Sequence, residues 1–167
     1  LFPCPLHEKY STKNPTGWIN AKDAIKPAIG LAHGNVDGIP NDEPDYPIPR
    51  DAAARQGLDY LALGHWHSFA RYDDDGVCRM AYSGTHETTK FGERDSGNAV
   101  LVEIAQRGSP PRLTPVKTGR LDWRTIERAE ALDVLAASRA SGLVQIADNV
   151  QDRPTFVCNC CGCCCEA

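Results

Sequence analysis

Two short stretches constrain the fold of this 167-residue chain more than any others. Residues 28–34 read AIGLAHG and residues 61–68 read LALGHWHS, each an apolar run that stops among glycine and histidine. Ala28–Ala32 and Tyr60–Leu63 are apolar without alternation, which predicts short strands covered on both faces. The polar, proline-rich loop VDGIPNDEPDYPIP lies between them, followed by Arg50–Gln56, which reads as a short helix with Gly57 as its C′ glycine. Strand, loop, helix, strand is a βαβ unit, whose two strands lie parallel in one sheet.

The pattern then changes. Ser68–Tyr72 and Val77–Ser83 flank DDDG, a hairpin turn signal, and Asn98–Ala105 and Arg112–Leu121 flank RGSPP. A partly parallel sheet continued by hairpins makes the class α/β or α+β. From Thr125, TIERAEALDVLAASRASG reads as one helix, with Ile126, Ala129, Leu132, Leu135 and Ala136 on one stripe and Gly142 as the stop. LVQI follows as a short strand. The expected division is a domain over 1–122 and a helix with a Cys-rich tail over 123–167. Residues 1–27, broken by Pro3, Pro5, Pro15 and Pro27, read as loops.

Apolar content of 41% and charged content of 24% are ordinary for a globular domain, and the formal charge of −4 supplies no basic footprint for nucleic acid. No apolar run is long enough to span a bilayer, and LFPCPL lacks the features of a signal peptide, so no membrane role and a cytoplasmic setting are expected. The opening run carries no Met, and the natural chain is expected to start earlier.

His33, His65 and His67 stand where both apolar runs end. In an extended strand residues i and i+2 point to one side, so His65 and His67 are expected to address one site, with Trp66 turned away from it. Ligands of open α/β sheets sit beyond the carboxyl ends of strands. Neutral imidazole is a common ligand of divalent transition metals and needs an acceptor behind it to fix its tautomer. Gly34 and Gly64 remove side-chain bulk beside these histidines. His86, in SGTHE, and the acidic run Asp73–Asp75 read as a polar loop and a solvated turn. Trp18, Trp66 and Trp123 read as packing groups, and Cys4 with His7 as structural residues.

LAHGNV, followed about thirty residues later by LALGHWHS, resembles the second half of a calcineurin-like metallophosphoesterase, and YSGTHETTKFGERDSGNAVLVEI is similar to the segment that follows G-H-x-H in the DNA-repair exonuclease branch of the SbcD type. The resemblance runs over about residues 1–122. It implies half of a metallo-dependent phosphatase sandwich, with two divalent metals in the complete domain, Mn above all, and hydrolysis of DNA or another phosphodiester. It implies that His33, His65 and His67 are metal ligands, and that an ATPase is a partner. The family's Asp-x-His, bridging Asp and Asn-His elements precede the late histidines, and residues 1–32 hold none of them. The resemblance thus covers the C-terminal half of the domain, and this chain alone is expected to bind a divalent metal weakly and to lack useful nuclease activity.

Of the eight cysteines, six crowd into CNCCGCCC: Cys158, Cys160, Cys161, Cys163, Cys164 and Cys165. Neighbouring cysteines bridge poorly, and thiolate clusters in reducing compartments read as metal sites. The separated C-x-x-C pairs of a zinc site are absent, whereas Cys158, Cys161 and Cys164 have C-x-x-C-x-x-C spacing, which suits an iron–sulfur cluster once a fourth thiolate is found. ERAEALDVLAASRASGLVQIADNVQDRPTFVCNCCGCCC resembles the segment that precedes the ferredoxin cysteines in certain 4Fe–4S ferredoxin-domain proteins. That leaves two further readings beside the phosphoesterase: an iron–sulfur or soft-metal binding module, and a non-functional fusion fragment.

Overall fold

The computed structural model describes residues 1–38, 45–121, 123–147 and 157–160, and it divides the chain into two compact units, Leu1–Trp123 and Arg124–Ala167. The architecture is mixed, mostly sheet with few helices, as expected of an α+β chain.

The first unit is organised by a five-stranded sheet. Its strands are β1 (Phe2–Pro3), β2 (Ile29–His33), β5 (Tyr60–Gly64), β6 (Ala70–Asp74) and β7 (Val77–Tyr82), in the order β1-β2-β5-β7-β6. β2 pairs parallel with β1 and β5, β5 pairs parallel with β7, and β6 returns antiparallel along β7. Between β2 and β5 the chain forms a small parallel pair, β3 (Asn35–Val36) with β4 (Pro47–Ile48), and then the helix α1 (Ala52–Gln56). The βαβ unit is therefore present, and Gly57 closes α1 in the left-handed conformation, its N–H returning to the carbonyls of Ala53 and Ala54.

β5 is the central strand. Leu61 and Leu63 pack with Ala32, Ile48, Leu58, Met80 and Tyr82 in one apolar cluster. β2 departs from the expectation of two covered faces: Gly30 and Ala32 are buried, but Leu31 is 44% exposed and His33 lies open on the same side. The run is apolar on both faces, so its hydropathy carries no alternation, while burial alternates with the pleat.

The expected hairpins form. Asp75 and Gly76, both at positive φ (49° and 77°), make the two-residue connection between β6 and β7, the conformation of a type I′ turn. β8 (Asn98–Glu103) and β9 (Arg112–Lys117) pair antiparallel as a sheet of their own. Its connecting segment is tied to the main sheet by an ion pair absent from the sequence reading. Arg107 donates to Asp59 Oδ1 at 2.9 Å and to the carbonyls of Ala21, Ala24 and Gly57, and the fully buried Asp59 also accepts the N–H groups of Ala28 and Gly108.

The second unit contains α2 (Arg128–Ala140) and an antiparallel pair, β10 (Val144–Ala147) with β11 (Val157–Cys160). α2 starts after Ile126, which therefore lies outside the expected stripe, and no residue of α2 is buried. No helix among the described residues is long and apolar enough to cross a membrane.

Candidate metal centre

β2 and β5 run side by side, so their carboxyl ends arrive together: His33 stands opposite Gly64 in the register. A Cβ on Gly64 would lie 3.0 Å from His33 Nδ1, so glycine leaves room for that ring. Gly34 performs the same service for the backbone: a Cβ there would collide with the Tyr46 carbonyl and Cβ, and the Asp45–Tyr46 segment could not approach. Tyr82 holds the next residues. Its buried hydroxyl donates to Gly34 O at 2.6 Å and accepts the Val36 N–H at 3.0 Å.

Beyond Gly64 the chain leaves the strand. His65 has φ of 128°, so the two histidines of G-H-x-H reach the site around a corner and not by strand alternation. His65 turns back on His33: Nδ1 of one ring lies 3.4 Å from Nε2 of the other, with the rings perpendicular. Asp45 Oδ2 is 3.6 Å from the same His65 nitrogen, and Asp45 Oδ1 is buried without a hydrogen-bond partner among the described residues. Burial and the neighbouring His65 ring depress the pKa of His33, against the opposing pull of Asp45, which favours a neutral imidazole with a free lone pair.

His67 occupies a different setting. Its Nδ1 is bonded to the carboxylate of Glu93 and lies 3.1 Å from the hydroxyl of Thr89. The Glu93 side chain is only 3% exposed, and burial alone would raise its pKa. Hydrogen bonds from the Thr89 hydroxyl and N–H, from His67 and from the Lys90 N–H outweigh that and hold it down to about 2. An ionised Glu93 accepts the Nδ1 proton of His67 and leaves Nε2 as the lone-pair nitrogen, the arrangement by which a carboxylate orients a ligating imidazole.

His65 and His67 line one cavity of about 350 Å³, between the His65–Ser68 corner and the Lys90–Glu93 turn. Trp66 lines it too and does not turn away as expected: its indole donates to Asn35 Oδ1 at 2.8 Å and meets His65 edge-on. The positive φ of His65 removes the alternation on which that expectation rested. None of the three tryptophans lies in the core, and each packs against a neighbouring ring at the surface. Trp18 packs on Phe2 at the surface, and Trp123 packs edge-on to Phe91.

The donor set suits one side of a divalent-cation site. A separation of 3.4 Å is long for a hydrogen bond, and two imidazole nitrogens this close stand where one divalent transition-metal ion would take both. The orphaned Asp45 oxygen supplies an anionic neighbour. The set is not closed: among the described residues no group of three or more His, Cys, Asp and Glu side chains is placed to hold a metal ion.

Asp45 and Glu93 are the site residues that sequence reasoning missed. Asp45 is one of several acids in NDEPDYP, and Glu93 is one of three charged residues in GERD, with no spacing to single out either. The remaining expectations resolve simply. The hydroxyl of Thr118 donates to the His86 carbonyl at the surface, and Asp73 pairs with Arg71 beside the turn. Cys4 and His7 line a second cavity of about 300 Å³ without bonding one another. Burial raises the pKa of the Cys4 thiol against a hydrogen bond from Trp18, which disfavours the reactive thiolate. In the tail, Cys158 is a free, half-buried thiol opposite Ile146 and Cys160 lies in β11 opposite Val144. Cys161, Cys163, Cys164 and Cys165, and with them most of the expected iron–sulfur ligands, lie outside the described residues. No protein-family model matches the chain.

Proposed function

We propose that this chain supplies the late-histidine side of a two-metal phosphodiesterase centre of the DNA-repair exonuclease type, built on half of a metallo-dependent phosphatase sandwich. The observation that carries the reading is the approach of His33 Nε2 to His65 Nδ1 at 3.4 Å, beside a carboxylate whose buried Oδ1 has no partner among the described residues, at the carboxyl ends of adjacent parallel strands. The quoted motifs LAHGNV and LALGHWHS support the family, and with it Mn as the metal, a phosphodiester such as DNA as the substrate and an ATPase partner.

In this reading His33 and His65 hold one cation, with Asp45 balancing its charge, and His67 offers Nε2 to the second. A bound divalent cation supplies Lewis-acid polarisation of the phosphodiester and favours ionisation of water. The residues of this chain orient and neutralise. Glu93 fixes the His67 tautomer, Tyr82 fixes the backbone after His33, and Gly64 makes room for the His33 ring. Leaving-group assistance would belong to the His of an Asn-His element, and the remaining metal ligands to Asp-x-His and bridging Asp elements, none of which residues 1–32 hold, so the chain by itself is expected to lack useful nuclease activity.

Calorimetric titration with Mn²⁺ tests this. Weak, saturable binding by the wild type, abolished by His33→Ala and by His65→Ala, is the expected result. Binding that persists in both variants, or robust Mn-dependent phosphodiester turnover by this polypeptide alone, overturns it.

A further inference from the structure

We infer that Asn35 and Trp66 are positioning residues of the metal centre: the tether between them holds the His65–His67 corner open, so that its two imidazoles address two separate cations. The cations rest on the phosphoesterase reading, and the tether adds what keeps their ligands apart.

In an extended strand His65 and His67 would point to one side and meet one ion. Here they diverge. His65 turns to His33, with ring nitrogens 3.4 Å apart, and His67 turns to the carboxylate of Glu93. The backbone of His65 makes the divergence, at φ of 128°, a region that residues with a side chain rarely adopt. Such a conformation persists only where the surrounding contacts over-determine it. The next residue supplies those contacts. Trp66 donates its indole N–H to Asn35 Oδ1 at 2.8 Å and sets its ring edge-on to His65, with ring centres 6.1 Å apart.

Asn35 is the fixed end of the tether. It is only 8% exposed, and its N–H is shared between the carbonyls of Asp45 and Tyr46, each at 3.1 Å. Its neighbours are held as well: Gly34 donates its N–H to the Gly64 carbonyl at 3.1 Å, and Val36 donates its N–H to the Tyr82 hydroxyl. Asn35 thus joins three segments that carry site groups. It lies two residues past His33, its main chain takes the carbonyl of Asp45, and its side chain takes the corner between His65 and His67. Both ends of the tether stand inside the paired motifs, AHGN and GHWH. Trp66 is 37% exposed and lies outside the apolar cluster, so the core does not depend on its ring. Its contribution is reach: the indole N–H spans from the corner to Asn35, and a phenylalanine ring in the same place has no donor to offer.

The test is NMR on the full chain in EDTA, followed by calorimetric titration of the metal-free protein with Mn²⁺. The wild type should show a nuclear Overhauser contact between the His33 and His65 rings, whose centres lie 5.2 Å apart. Trp66→Phe keeps a ring and removes the donor. It should lose that contact while the amide spectrum of the sheet stays unchanged, and it should weaken Mn²⁺ binding by about 10- to 100-fold, the usual cost of removing a group that orients a metal ligand. Asn35→Asp keeps an oxygen acceptor and should retain both the ring contact and the affinity. A ring contact that is absent from the wild type, that survives in Trp66→Phe, or that is lost in Asn35→Asp overturns the inference. A ring contact that depends on the tether, in a protein that takes up no Mn²⁺, leaves the tether standing and removes the metal reading. Histidine-dependent Mn²⁺ uptake of equal affinity in wild type and Trp66→Phe does the reverse.

Discussion

Tyr82 shows how much of this site depends on one hydroxyl. It lies at the end of β7, fully buried, and spans from the sheet to the Gly34–Val36 backbone, satisfying a carbonyl and an N–H at once. Burial pushes its pKa well above the ordinary tyrosine value, against the hydrogen bond from Val36, so it stays a donor throughout the working range. Tyr82→Phe leaves both backbone groups buried and unmet, and each such group costs about 1–3 kcal/mol. The variant should unfold at lower urea than wild type with an unchanged m-value. Equal midpoints would show that water replaces the hydroxyl. Glu93→Gln makes the matching test on the other histidine. It removes the charge that selects the His67 tautomer, and the two ring nitrogens of His67 should lose their distinct NMR shifts for a fixed Nε2 lone pair. An unchanged spectrum would assign the tautomer to Thr89 instead.

At the scale of elements, the Asp59–Arg107 pair joins the β8–β9 connection to the start of β5. Burial opposes ionisation of Asp59, but the N–H groups of Ala28 and Gly108 and the guanidinium of Arg107 outweigh it, and its pKa is depressed. A depressed carboxylate contributes stability that is present above its unfolded value, near 3.9, and is lost as pH falls through its folded value. The chain should therefore lose stability steeply below about pH 4, and Asp59→Asn should flatten that limb while lowering stability at neutral pH. An acid limb equally steep in the variant would place the effect on other carboxylates. Removing one partner outright, as in Asp59→Ala, should cost about 3–5 kcal/mol. The elements themselves were largely legible: DDDG marked the β6–β7 hairpin, RGSPP the second, and Gly57 the end of α1. What was not legible is long-range. Asp59 and Arg107 are 48 residues apart in sequence, and nothing local distinguishes either from a surface charge. β3 and β4 are two-residue strands, too short for periodicity to register. At the site, His33 and His65 were visible because glycine and apolar runs frame them, whereas Asp45 and Glu93 acquire their roles only when loops fold back. The strand-alternation argument for His65 and Trp66 failed at one residue, the positive φ of His65.

At the scale of the molecule, the two units differ in how they are held. Leu1–Trp123 has an apolar cluster that runs from Cys4 to Tyr82, whereas α2 buries no residue and rests on its own backbone hydrogen bonds. Isolated helices of this length are marginal in water. Amide exchange should be slow along β5 and β7 and close to unprotected along α2; strong protection in α2 would reveal a partner surface that covers it. The most direct test of where a metal goes is metal content by elemental analysis after anaerobic purification and equilibrium dialysis against Mn²⁺, on wild type and on the His33→Ala/His65→Ala double variant. Manganese, or another divalent transition metal, is expected in the wild type and is lost in the variant. Iron with acid-labile sulfide that survives the double substitution would contradict it and move the function to Cys158–Cys165.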